Sequence, residues 1–323
     1  MEGLDMMAVV LLVQVALPLA LLAWLALFQA GSMVGWLMQA AGIAALLFAL
    51  ARVAQWALPV WWLPWGYAGV FLVIVAWQVS ALPARPPLPH GAWAWSAMVV
   101  SAGLLALGSF YAVKALSGRA LPPVEVVDIS NPFGPGRYLV GHGGSNTLVN
   151  GHMRTLDASV ERFRPWRGQS YAVDFFGLGA WGLRARGWQP ADPAAYAIFG
   201  AELRAPCAGV VAAARADMPD FEVLESDQVN RLGNHVILRC GGAEIVFAHM
   251  RQGSIAVVAG DRIEVGHRLG EVGNSGASTE PHLHIHAQRP APEGAPSISG
   301  DPLAIRIDGR FLVRGDRLRG QAQ

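Results

Sequence analysis

Between Gly273 and His286 the chain reads G-N-S-G-A-S-T-E-P-H-L-H-I-H. Its last five residues alternate His282, Leu283, His284, Ile285 and His286, and along a β-strand the side chains at i, i+2 and i+4 stand on one face. Three imidazoles therefore share one side of a strand, while Leu283 and Ile285 point into a core. Neutral imidazole ligates zinc and is also the side chain that titrates near neutral pH, so such a face can hold a metal and move protons. Gly273, Asn274, Ser275 and Gly276 form a turn ahead of the run, and Pro281 sets the start of the strand. His282 and His284 read as functional; His286 reads as a structural member of the same face.

Three upstream pieces accompany this stretch: Tyr171-Ala-Val-Asp174, Phe247-Ala-His249-Met250 and Val258-Ala-Gly-Asp261. Together they resemble the lysostaphin/LytM-type zinc metallopeptidases, over about residues 165 to 290. Members of that family carry an H-x-x-x-D motif, a (Y/F)-A-H-(L/M) strand end, a V-x-x-G-D-x-(V/I)-x-x-G hairpin and a terminal H-x-H. The resemblance implies a mainly-β domain, a LytM-like antiparallel β-sheet groove built as a duplicated hybrid motif, with Zn2+ as cofactor and peptidoglycan or a peptide as substrate. It assigns Asp174 and His284 as metal ligands. His249 and His282 become the catalytic, non-ligand pair that handles protons and stabilises the oxyanion. Asp174 lies in an apolar strand, where an unpaired carboxylate is costly to bury and a metal accounts for its presence.

One family position departs. The residue four before Asp174, a His in the family, is Ser170 here, and a hydroxyl is a poor zinc ligand. Upstream stands a glycine-rich loop, Gly141 to His152, with two histidines. Asn150-Gly-His152 ahead of Gln169 to Asp174 is similar to a family branch with Asn-x-His before a Q-x-Y-A-x-D strand. The expected third ligand is therefore His152, with His142 as second choice. The alternative is a degenerate LytM-type domain that binds cell wall or regulates another hydrolase. His235 and His267 fall outside the motifs and read as structural or exposed. No G-x-S-x-G elbow and no phosphate-binding P-loop is present.

These residues occupy the C-terminal part of a 323-residue chain whose N-terminal part is of another kind. Residues 6 to 51 contain no Asp, Glu, Lys or Arg. A helix needs ~20 apolar residues to cross the hydrocarbon layer, so this run holds two spans, Met6 to Phe28 and Val34 to Ala51. Glu2 and Asp5 precede the first, which lacks the basic start of a cleavable signal peptide. Further spans are expected over Gly66 to Leu82 and Ala92 to Leu116, giving a four-span α-helical membrane bundle at 1–117, a Pro- and Gly-punctuated linker at 118–136 and the metallopeptidase domain at 137–323. Gln14, Gln39 and Gln78 are the main polar groups within the spans, which read as an anchor in the lipid bilayer.

Arg52, Arg85, Lys114 and Arg119 are spread over the connections, so charge bias sets no orientation. The resemblance places the protein in a bacterial inner membrane, multi-pass, with the C-terminal domain on the periplasmic or extracellular side. A net charge of +1 gives no sign of a nucleic-acid partner. Cys207 and Cys240 either pair or stay as small buried thiols. The expected function is a membrane-anchored zinc metalloendopeptidase that hydrolyses peptide bonds of peptidoglycan. The segments Gly141 to Gly168 and Leu178 to Ala201 are expected to wall its groove.

Overall fold

A computed structural model describes residues 6–80 and 82–321; Glu2 and Asp5 lie outside the described residues. The chain divides into two compact units, residues 1–116 and 117–323.

In the first unit, α1 (Met6–Leu11) runs through a π-helical turn at Leu12–Ala16 into α2 (Leu17–Leu27). Helices α3 (Met33–Val53), α4 (Leu63–Val79) and α5 (Gly91–Ser117) follow. Among the described residues three stretches are long and apolar enough to cross a membrane: Met7–Leu27, Met33–Val53 and Gly91–Ser117. The expectation of four spans is corrected here. Helix α4 has 17 residues, a length of about 26 Å against a hydrocarbon core of about 30 Å. It ends early because Pro83 has no N–H to bond the Val79 carbonyl and its ring would clash with it, so the chain passes into a separate 3-10 turn, Leu82–Ala84.

The span glutamines are used inside the bundle. Gln78 donates to the Leu25 carbonyl at 2.8 Å and accepts from the Trp36 indole at 2.5 Å, joining α4 to α2 and α3. Gln39 donates to the Phe28 carbonyl and accepts from the Ala30 amide. Such bonds between helices hold an apolar bundle in one arrangement where burial against lipid cannot.

The second unit is built on strands β1 (Val126–Ile129), β2 (Arg137–His142), β3 (Val173–Gly177), β4 (Glu202–Arg204), β5 (Gly209–Arg215), β6 (Asn234–Cys240), β7 (Ala243–Met250), β8 (Arg262–Ile263), β9 (Arg268–Glu271), β10 (Leu283–Gln288), β11 (Pro302–Ile307) and β12 (Arg317–Arg319). The main sheet runs β12-β2-β3-β10-β7-β6-β5-β8, with β11 also joined to β10; β4 and β9 form a small second sheet. Every pairing is antiparallel except β1 with β11, so the segment expected as a linker places one strand alongside the sheet. Apolar helices followed by a large antiparallel β domain is the fold class the sequence leads one to expect.

Strand β10 lies between β3 and β7, with His284 opposite Asp174 on one side and Ala248 on the other. Leu283 and Ile285 are fully buried in one core with Val173, Phe175, Ile245 and Phe247. The apolar face of these strands anchors the sheet, which leaves the histidines and Asp174 on the opposite face. Cys207 and Cys240 are joined by a disulfide, settling the open alternative.

Candidate metal centre

Asp174 is the centre of the cluster. Its Oδ2 lies 2.8 Å from His152 Nε2, and its Oδ1 lies 2.9 Å from His284 Nδ1. Burial works to raise its pKa, but the charge of His152 and hydrogen bonds from His152 and His284 outweigh burial and hold the carboxyl well below its ordinary value. His284 is 3% exposed and is held on its far side by His286, whose Nδ1 lies 3.0 Å from His284 Nε2. One donor atom from each of His152, Asp174 and His284 falls within 4.8 Å of the others. Two imidazoles and a carboxylate converging on one point fit a divalent transition metal that keeps a position open for substrate. His286 behind His284 is placed as the hydrogen-bond partner that would orient this imidazole toward a metal.

His152 reaches this point because its loop is clamped. Asn150 is fully buried; its side-chain amide donates to the carbonyls of Gly144 and Ala172, and its Oδ1 accepts from the His152 amide at 3.2 Å. Ser170 takes no part in the cluster. It is fully buried, sits 2.8 Å from the Thr155 hydroxyl and donates to the Arg167 carbonyl, tying two 3-10 segments, Gly151–Leu156 and Glu161–Tyr171, together.

His142, the second choice for the third ligand, stays outside the cluster. Its Nδ1 accepts from the Gly151 amide and from Arg314, both at 3.1 Å, so it braces the loop next to His152. Burial, chiefly, lowers its pKa to about 4. Between pH ~6.5 and ~4 the unfolded chain holds a proton on this ring that the folded chain refuses, so stability is full above the unfolded value and falls as pH drops. In the metal-free chain His142→Gln should lose part of this acid sensitivity, worth up to about 3 kcal/mol. Denaturant midpoints at pH 7 and pH 5 measure it, and equal pH dependence in both chains would refute the assignment.

His249 and His282 stand beside the cluster with ring centroids 4.7 Å apart. The Nδ1 of His249 lies 2.9 Å from the Ser275 carbonyl, and that of His282 lies 2.8 Å from the Glu280 carbonyl. A carbonyl only accepts, so each Nδ1 carries the proton and each Nε2 is left as the basic atom. Burial first, then the charges of His282 and His284, keeps His249 well below its ordinary pKa. Its backbone is also unusual: φ is 61°, in the left-handed region, where the β6–β7 register shifts at the end of β7. A non-glycine residue held there stores strain, a feature that clusters at functional sites.

A cavity of about 210 Å3 opens over the cluster, with His152, Asp174, His249, His282 and His284 in its wall. Gln169 and Ala277 also line it, as do Trp166, Arg231, Leu232, Thr279 and Ile298, none of which was singled out by the sequence. Trp166 belongs to the first expected wall segment. The second, Leu178 to Ala201, supplies none of the lining; its Arg184 instead pairs with Glu280, bracing the turn before His282. His235 is held by the Gly233 carbonyl at 2.8 Å and His267 is exposed, in keeping with their reading as structural or exposed.

Residues 194–296 match the model described as Peptidase family M23. The chain carries a Peptidase M23 domain. The matched residues include His249, His282 and His284, while His152 and Asp174 lie ahead of them. Among solved structures, the chain is similar to the deep-sea M23 metalloprotease pseudoalterin, at 16% identity over 60% of this chain and 98% of that one, with a TM-score of 0.32. It is similar to a zinc-containing peptidase from Vibrio cholerae, at 16% identity over 46% of this chain and 48% of that one, TM-score 0.22. Lysostaphin from Staphylococcus simulans is 21% identical over 37% of this chain and 36% of that one, TM-score 0.23. Several further structures are matched over about a third to just over half of their own length. No match is found among curated proteins.

Proposed function

We propose that this protein is a membrane-anchored zinc metalloendopeptidase that cleaves peptide cross-links of peptidoglycan, with its M23 domain on the outer side of a bacterial inner membrane. His152, Asp174 and His284 would hold the zinc. The observation that carries this reading is the pairing of a three-donor cluster with two imidazoles whose Nδ1 protons are tied to backbone carbonyls. Zinc, when bound, supplies Lewis acidity and lowers the pKa of a coordinated water to ~7. Nε2 of His249 or His282 accepts the proton of the attacking water, and the protonated ring passes it to the leaving amine. The other ring donates toward the developing oxyanion as imidazolium, protonated at Nε2 from solvent while its Nδ1 stays bonded to its carbonyl.

The disulfide supports an oxidising compartment for the domain, because such bonds persist outside the cytoplasm. Three helices long and apolar enough to cross a membrane support the anchor. The test is amide-bond cleavage of cross-linked peptidoglycan fragments by the detergent-solubilised chain. Cleavage that a chelator abolishes and added zinc restores is the expected result. Cleavage indifferent to chelator would overturn the proposal; no cleavage from a zinc-loaded chain would overturn it and favour the wall-binding alternative.

A further inference from the structure

A second cavity, of about 250 Å3, lies next to the one over the metal centre, and Trp166, Arg231, Leu232 and Ile298 line both. The second also has Arg215 and His235 in its wall. Asp174 is the one acidic residue lining either cavity, and a divalent metal beside it leaves a positive balance there. The walls of the two cavities thus carry two guanidiniums, Arg215 and Arg231, and no carboxylate besides Asp174.

The two arginines are not equivalent. Arg215 is partnered, its Nε 2.9 Å from Asp217 Oδ1 and its Nη1 donating to Asn230. Arg231 stacks over the Trp166 ring, 5.0 Å from its centroid, and its Nη1 donates to the neutral Gln228 amide at 2.6 Å. Among the described residues no carboxylate pairs with it. Its backbone is fixed beside the histidine turn: the Arg231 carbonyl accepts from the Ala277 amide at 2.9 Å. Gly233 and Gly276 meet so closely that a Cβ on Gly276 would lie 2.3 Å from the Gly233 nitrogen. A cation placed in this way, with its guanidinium on an aromatic face, has paid its ordering cost before a ligand arrives.

We infer that Arg231, at the boundary of the two cavities, determines specificity by receiving a carboxylate of the peptide substrate, so that peptides with a free carboxylate next to the scissile bond are preferred over neutral ones. This rests on the peptidase reading of the neighbouring centre. An amide in place of the carboxylate forfeits a charge-assisted bond, a difference of about tenfold or more in affinity. The carboxylate comes either from an acidic side chain or from a chain terminus.

The test measures binding of short peptides to the zinc-loaded, detergent-solubilised chain by calorimetry, using non-cleavable peptide isosteres. One pair of peptides differs only by Glu against Gln, and a second pair only by a free against an amidated C-terminus. One of the two pairs is expected to show about a tenfold or greater preference for the carboxylate member, which names its source. The preference should weaken with salt, vanish in Arg231→Gln and return in part in Arg231→Lys, with zinc content unchanged throughout. Equal affinity within both pairs, a preference surviving in Arg231→Gln, or no binding by any of the four peptides overturns the inference. Failure of the peptidase reading is seen separately, as absent cleavage of the natural amide by the same zinc-loaded chain.

Discussion

His284→Ala should leave the protein unable to retain zinc. Its ring is 3% exposed and lies between the Asp174 carboxylate and His286, so nothing from solvent can take its place in a defined geometry. Loss of an outer partner of a metal-bound imidazole costs ~10- to 100-fold in metal affinity, and loss of the ligand itself should exceed that. Metal content after dialysis against a competing chelator measures it, and retention of zinc at the parent level would sink the ligand assignment. The same substitution removes one of the two close partners of a fully buried carboxylate, a change that costs about 3 kcal/mol or more. His284→Gln, which keeps a polar group of similar reach, separates unfolding from loss of the ligand: it should fold and still lose the zinc.

His249→Ala should have the opposite signature. Zinc stays at the parent level, while kcat falls by about 10^2 to 10^4, the size of a general acid or base contribution. The left-handed backbone at His249 sharpens the test. His249→Gly removes the same ring but suits a φ of 61°, where a Cβ costs about 1–2 kcal/mol. That variant should be no less stable than His249→Ala, and equally inactive. A kcat within tenfold of the parent in either variant would remove His249 from the chemistry.

The parts of this site that follow a strand period were legible before the structure. Alternation of His282, Leu283, His284 and Ile285 predicts one polar and one buried face, and the structure has Leu283 and Ile285 in the core with His284 opposite Asp174. His152 was preferred over His142 only through the likeness of Asn150-Gly-His152 to a family branch, because the Asn150 contacts that hold its loop run to Gly144 and Ala172, and sequence spacing does not encode a return of this kind. The strain at His249 was not legible, since a bulge depends on the partner strand. Trp166 and Arg231 carry no motif, and their contact joins two segments that only the fold brings together. In the membrane unit the apolar runs were plain, but whether α4 spans depends on three or four residues at its ends, where periodicity is silent.

The most direct test of the account is the zinc content of the purified full chain beside its His152→Ala variant, both prepared in metal-replete medium and cleared of loosely bound metal. Close to one zinc per chain is expected in the parent, and its loss in the variant, because His152 would supply the ligand absent at Ser170. A parent without zinc, or a variant that keeps its full complement, would contradict it.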